Sequence, residues 1–160
     1  MTPLSAEVEV TANADQAAVF THIVPIDLAS IFTGYGPLPA VTRTQDQVGA
    51  WDAVGQTRTV HLSDGSSAQE LLTGYERPGY FSYTVSGFTG VLRHLTTSAN
   101  GEWWFTTVAP GRTNIRWRYA FNPRSALAVP ILWFIATVLW RNYMRKALLL
   151  SKLQVERNAT

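Results

Sequence analysis

The sequence contains no cysteine, so it forms no disulfide and offers neither a thiolate metal ligand nor a nucleophilic thiol. Its three histidines, His22, His61 and His94, are far apart in the chain, a spacing that disfavours a zinc or iron site. Charged residues are also scarce, at 15% of the chain against roughly a quarter in an average protein. We therefore expect neither a metal nor a cofactor.

What the chain does have is apolar residues, at 46% of 160, which is too many for a disordered protein. This length corresponds to one domain with a sizeable core, so we expect a single domain over residues 1–160. The first ten residues lack a basic region followed by an apolar stretch, and a signal peptide is not predicted. The default expectation is a cytoplasmic protein, with membrane association left open.

The charges are distributed unevenly along the chain. Residues 1–111 carry four basic and ten acidic side chains, whereas residues 112–160 carry nine basic side chains and a single acid, Glu156. Such asymmetry can indicate a surface for nucleic acid or an anionic membrane, or one end of the fold can neutralise the other. Nucleic-acid binding is the least favoured of these, because the aromatic residues near the arginines are expected in the core.

The first third of the chain predicts one strand and two short helices. Apolar and polar residues alternate over 4–11, which predicts a half-buried strand. Asn13, with Gln16 three residues later, has the pattern of an N-cap for a short helix that Pro25 ends. A second short helix or turn is predicted over 27–32.

The rest of the chain predicts an antiparallel sheet and then a long helix. Glycine and proline turn signals separate predicted strands near 55–63, 66–75, 79–86, 101–109 and 112–121, with a further strand near 40–48. The period changes after Pro123 and predicts one helix over 125–156. The simplest architecture is an α+β fold in which a curved antiparallel sheet of six to seven strands wraps around the C-terminal helix.

One predicted hairpin places two opposite charges on an apolar face. A three-residue turn at 63–65 pairs Leu62 with Ser66, and the same register pairs Arg58 with Glu70. A lone buried charge would cost several kcal/mol, so the two side chains should pair. The pair is either a polar anchor in a ligand cavity or a structural ion pair that holds the register.

Large rings recur at every second position of the later strands and therefore share one face of the sheet. This inward set consists of Phe81, Tyr83, Val85, Trp103, Phe105, Thr107, Ile115, Trp117, Tyr119 and Phe121. Such a concave surface suits a flat or long apolar ligand, and it is equally the composition of an ordinary packed core.

The C-terminal helix begins with an uncharged run of sixteen residues, 125–140, between Arg124 and Arg141. A membrane-spanning helix needs roughly 20 apolar residues, so this run is short for a span. At 100° per residue, the charged residues after position 141 lie on one side of the helix. Before position 141 the same side carries apolar residues such as Ile131 and Phe134. The short helices and the 34–40 loop, a second subunit or a membrane surface must cover this side, and all three alternatives stay open.

Three stretches carry a resemblance to a known superfamily: Gly55-x-x-Arg58-x-Val60-x-Leu62-x-Asp64-Gly65 followed by Glu70; Tyr83-x-Val85-x-Gly87; and Gly101-Glu102-Trp103-x-Phe105 with Thr113-x-Ile115-x-Trp117-x-Tyr119-x-Phe121. With this element order, nearly the whole chain resembles the START-like (SRPBCC) proteins, which include polyketide cyclases/dehydrases, lipid-transfer domains and plant hydrophobic-ligand carriers. The resemblance implies a helix-grip fold with an apolar cavity between sheet and long helix, and no shared catalytic residues. The apolar helix start, with Trp133, Phe134 and Trp140, departs from the usual pattern.

The favoured function is binding or transport of a hydrophobic small molecule, such as a lipid, polyketide or isoprenoid, in that cavity. Apolar burial would supply the affinity, and a few polar side chains would orient the ligand. The candidate ligand-binding residues are Arg58, Glu70, Tyr83, His94, Trp103, Phe105, Trp117, Tyr119 and Phe134.

Two alternative functions are kept. The first is a polyketide cyclase/dehydratase-like enzyme, which needs an acid or base in the cavity, with Glu70, His94 and Asp52 as candidates. The second is a self-associating protein, for example a homodimer, or a membrane-peripheral protein that uses the apolar helix 125–140, with membrane contact through residues 125–146.

Overall fold

Seven strands form one antiparallel sheet in the computed structural model, which describes residues 1–159. The strands are β1 (Leu4–Ala12), β2 (Val41–Gln45), β3 (Thr57–Leu62), β4 (Ser67–Glu76), β5 (Tyr80–Ser86), β6 (Thr96–Ala109) and β7 (Arg112–Pro123). Their spatial order is β1-β7-β6-β5-β4-β3-β2, so the first two strands of the sequence lie at opposite edges of the sheet. The predicted α+β helix-grip class is confirmed.

The connection from β1 to β2 runs from one edge of the sheet to the other. It contains α1 (Gln16–Ile23) and a 3-10 turn at Leu28–Ser30. Phe20 of α1 is fully buried, with its ring centroid 5.5 Å from that of Phe105 and 6.4 Å from that of Phe81. Because both partners point inward from the sheet, α1 packs on the concave face and helps to enclose the space in front of it.

A helix from Ala126 to Asn158 follows β7 and is not uniform. It comprises a 3-10 turn (Ala126–Ala128), α2 (Val129–Phe134), a π-helical turn (Ile135–Trp140) and α3 (Arg141–Asn158). The buried residues Leu132, Ala136, Met144 and Leu148 are spaced by multiples of four. In a regular α-helix, residues at this spacing would move progressively around the helix. The π turn has more residues per turn, which offsets that rotation and keeps these residues on the side that faces the core.

The first half of this helix leaves large apolar side chains in solvent. Leu127, Ile131, Trp133 and Phe134 are all exposed, so neither the short helices nor the 34–40 loop covers this side. Intramolecular cover, one of the three alternatives from the sequence, is therefore wrong for these residues. By length and composition the helix could cross a membrane, since its most apolar 18-residue window has a mean hydropathy of 1.3 and only 28% of it is buried.

Three local predictions are wrong. The N-cap of α1 is Asp15 rather than Asn13, whose backbone N–H instead donates to Glu156 Oε2 at 2.8 Å. Strand β6 begins at Thr96 rather than near 101, because its first, polar residues still pair with β7 although they show no apolar alternation. Thr107, expected in the inward set, is exposed near the end of β6, although it still pairs with the buried Thr113.

Candidate ligand-binding cavity

A cavity of about 390 Å³ lies between the concave face of the sheet and the C-terminal helix. Its walls are mostly aliphatic and aromatic side chains from the sheet, from the connection that contains α1 and from the helix. The volume falls within the range of about 300–1,000 Å³ that is typical of small-molecule sites. The space predicted between the two layers is therefore present and apolar.

One ion pair supplies the fixed charge in the interior of this cavity. Arg58 and Glu70 are direct partners across β3 and β4, as the turn arithmetic predicts, and each is 6% exposed. Arg58 Nε donates a hydrogen bond to Glu70 Oε1 at 3.0 Å, and Arg58 Nη2 lies 3.0 Å from the same oxygen in the ion pair. Within residues 1–159, Glu70 Oε2 accepts no hydrogen bond, which leaves it available to a polar group in the cavity.

Two tyrosines complete the polar end of the cavity. Tyr83 and Tyr119 both line it, with ring centroids 6.4 Å apart. Burial raises the pKa of both hydroxyls far above the ordinary value, and the negative charge of Glu70 raises each pKa further. Both phenols therefore stay protonated at neutral pH and can donate a hydrogen bond to a ligand.

The guanidinium of Arg58 is covered by the ring of Trp51. The guanidinium carbon lies 4.0 Å from the centroid of the Trp51 ring, a cation–π contact that holds the guanidinium plane in place. Trp51 is buried, and its backbone has a φ of +59°, which is unusual for a residue with a large side chain. The loop between β2 and β3 is thus folded back to stack this ring on the charge.

The mouth of the cavity lies where exposed residues join its lining, at Pro37, Asp64 and Val91. The loop that carries Pro37 is tied to the helix by Tyr143. The Tyr143 hydroxyl accepts a hydrogen bond from the Gly34 backbone N–H and donates one to the Pro39 carbonyl, both at 2.9 Å. This residue therefore fixes one rim of the mouth against α3.

The sequence over residues 3–154 matches the family described as polyketide cyclase/dehydrase and lipid transport. The chain belongs to this family. No curated protein shows significant sequence similarity to it. For this family, the fold supports binding of hydrophobic ligands in general.

Solved structures of Bet v 1-like proteins have the same helix-grip fold as this chain. Ara h 8.0201 superposes with a TM-score of 0.72 at 18% identity, over 98% of this chain and all of the other. Norcoclaurine synthase from Thalictrum flavum gives 0.70 at 14% identity, over 99% and 90% of the two chains. The ginseng major latex-like protein 151 from Panax ginseng gives 0.63 at 13% identity, over 98% of each chain. At these identities the likeness establishes the fold alone.

Five of the nine candidate residues from the sequence line the cavity of this family member: Arg58, Glu70, Tyr83, Trp103 and Tyr119. The other four do not. Phe105 packs against Phe20 of α1, and Trp117 is covered by Trp103, with ring centroids 4.5 Å apart. Phe134 is exposed on the outer side of the helix. His94 is exposed as well, and its Nε2 accepts a hydrogen bond from Arg93 Nε at 3.1 Å.

The sequence did not indicate several residues that shape the site. Phe32 and Trp140 line the cavity and stack on each other, with ring planes 4° apart. Trp140 is the last residue of the π turn, which the sequence did not indicate. Trp51 belongs to no periodic segment, so no pattern could have placed it over Arg58.

Among the three acid–base candidates, only Glu70 reaches the cavity. Asp52 is exposed and accepts a hydrogen bond from Gln56 Nε2 at 3.1 Å, and His94 is on the surface. The Glu70 carboxylate is itself held by Arg58. What the geometry provides is an apolar space with a fixed polar end, which can bind and orient a molecule.

Proposed function

We propose that this protein binds, and thereby carries, an apolar small molecule of lipid, polyketide or isoprenoid type. The ligand lies between the sheet and the C-terminal helix, with its polar group at Arg58, Glu70, Tyr83 and Tyr119. The single observation that supports this most is the apolar cavity of about 390 Å³ with its one buried ion pair. Apolar area supplies the affinity, while the polar end selects the orientation.

The polar end of the cavity suits a ligand group that both accepts and donates hydrogen bonds. Tyr83 and Tyr119 offer protonated hydroxyls, and Glu70 Oε2 offers an acceptor that Arg58 leaves unused. A hydroxyl or a carboxylic acid on a long or flat hydrocarbon meets both needs. One structural neighbour, norcoclaurine synthase, has a structure in complex with dopamine and hydroxybenzaldehyde, which are small aromatic molecules with such groups.

The proposal is tested by native mass spectrometry of the purified protein and by titration with the apolar dye 1-anilinonaphthalene-8-sulfonate. We expect one dye or ligand molecule per chain. In Ala68→Phe the new ring fills the cavity, and we expect binding to weaken by about tenfold or more. Ala120→Phe, on the opposite face of the sheet, is the matched control and should bind like the wild type.

The polar end is tested separately with decanol, decanoic acid and decane as competitors of the dye. Arg58→Leu/Glu70→Leu replaces the ion pair with apolar side chains of similar volume, and such replacements often preserve stability. We expect this variant to bind the dye as the wild type does, but no longer to bind decanol and decanoic acid in preference to decane. Wild-type protein that binds neither dye nor any of the three competitors would overturn the proposal.

A further inference from the structure

An apolar surface on the first half of the C-terminal helix is not explained by the cavity. It consists of Leu127, Ile131, Trp133, Phe134 and Val138, all exposed, and is called here the exposed apolar face. Four of them follow one another at intervals of three and four residues, so they lie along one side of the helix. Contiguous large apolar residues of this kind indicate an interaction surface.

The charges that flank this face along the helix have one sign. Arg124 precedes the helix, and Arg141 and Lys146 follow the face along it. No aspartate or glutamate occurs between Glu102 and Glu156, and Glu156 is engaged by the backbone of Asn13. The partner that complements an apolar helix surface with basic residues at both ends is one with negative charge around an apolar interior, as in an anionic bilayer.

A second copy of this chain fits the same face less well. A two-fold dimer packs a surface against itself, so the basic border of one copy would meet that of the other. With no carboxylate in the helix before Glu156, those cations would find no acidic partner on the facing segment of the other copy's helix. The charges therefore favour a lipid surface over self-association.

The helix suits a position on a bilayer better than one through it. Its uncharged run of sixteen residues is about 24 Å long at 1.5 Å per residue, short of the roughly 30 Å hydrocarbon core. The opposite side of the same segment is also occupied, since Leu132 and Ala136 are fully buried in the protein core. Only the outward side is free to enter lipid.

We propose that the exposed apolar face docks this protein onto the surface of an anionic lipid bilayer, with Trp133 and Phe134 in the interfacial region. Ile135 and Leu139 line the cavity and are the neighbours of Phe134 and Val138 in sequence. Docking therefore brings one wall of the cavity to the membrane. The docking itself does not depend on a ligand in the cavity.

The test is co-sedimentation of the full chain with vesicles of phosphatidylcholine alone and of phosphatidylcholine mixed equally with phosphatidylglycerol. We expect binding to the anionic vesicles that weakens as salt rises from about 0.1 M to about 1 M, where the Debye length falls from about 10 Å to about 3 Å. Trp133→Ser/Phe134→Ser should lose binding. Leu149→Ser/Leu153→Ser is the matched control, because these residues are 52% and 49% exposed against 54% and 51%.

The depth to which Trp133 enters the bilayer is measured by quenching of tryptophan fluorescence with phosphatidylcholine that is brominated in its acyl chains. Trp133→Phe keeps the face apolar and removes one fluorophore, so we expect binding to persist while quenching falls sharply. Circular dichroism of each variant checks that the fold is retained. No sedimentation with anionic vesicles at low salt would overturn the proposal, as would a dimer in analytical ultracentrifugation that Trp133→Ser/Phe134→Ser abolishes.

Discussion

The phenol ring of Tyr83 lies directly over Gly101, its partner across the β5–β6 pair. A Cβ atom at position 101 would be 2.6 Å from the Tyr83 hydroxyl oxygen, closer than two such atoms approach in proteins. The missing side chain of Gly101 is thus the space that the ring fills. This arrangement holds the hydroxyl of Tyr83 at the polar end of the cavity.

Gly101→Ala is expected to push the Tyr83 ring into the cavity. The crowding should lower the free energy of unfolding by about 1–3 kcal/mol and weaken dye binding. Chemical denaturation and dye titration measure the two effects. Gly79→Ala is the control, because a Cβ there meets its nearest atoms only at 3.8 Å and 3.9 Å; equal effects of both substitutions would contradict the role given to Gly101.

Stability should fall steeply above pH 10. Burial raises the pKa of Tyr83 and Tyr119 in the folded state, whereas in the unfolded chain both ionise near the ordinary value of 10. The unfolded state then binds fewer protons, so each tyrosine lowers the free energy of unfolding by about 1.4 kcal/mol per pH unit. Urea denaturation from pH 9 to pH 11 should show this slope, and Tyr83→Phe/Tyr119→Phe should flatten it. An unchanged slope in that variant would show that other groups are responsible.

Removing one member of the Arg58–Glu70 pair should lower the free energy of unfolding strongly, whereas replacing both with apolar residues should lower it little. Arg58→Leu leaves the buried Glu70 carboxylate without its cation and should lower the free energy of unfolding by about 3–5 kcal/mol. Arg58→Leu/Glu70→Leu removes both charges and should recover most of that loss. A double-mutant cycle by chemical denaturation measures the coupling, and a doubly substituted protein as unstable as Arg58→Leu would refute this account.

Tyr143→Phe should loosen the rim of the cavity mouth. The substitution removes a donor to the Pro39 carbonyl and an acceptor for the Gly34 amide, at a cost of about 1–3 kcal/mol. We expect faster hydrogen exchange over residues 33–40 and faster dissociation of the dye. Tyr35→Phe is the control, since the Tyr35 hydroxyl makes no hydrogen bond within residues 1–159.

Features that follow from the alternation of side chains between the two faces of a β-strand were predictable from the sequence. The Arg58–Glu70 partnership followed from one turn and a residue count, because strand register propagates without drift. The inward rings of β5–β7 followed for the same reason, and Phe81, Trp103 and Tyr119 do line the cavity. The helix-grip architecture itself followed from the order of the elements.

Features that depend on tertiary contacts were not predictable. The π turn over 135–140 shifts the phase of the helix, and no residue pattern in the sequence indicated it. Trp51 sits in a loop and stacks on Arg58, a tertiary contact that no periodic pattern indicates. His94 was a candidate only as a titratable residue in the connection between two predicted strands, and sequence cannot tell whether a side chain in such a connection points in or out.

The placement of β1 and β2 at opposite edges of the sheet has a consequence for synthesis on the ribosome. The only strand that pairs with β1 is β7, which joins Leu4 to Phe121 and Ala12 to Thr113. A nascent chain therefore carries β1 and α1 without their partners until most of translation is complete, and such long-range pairing forms slowly. The C-terminal helix forms one wall of the enclosed space in front of the sheet, so this space exists only after the last helix has been synthesised.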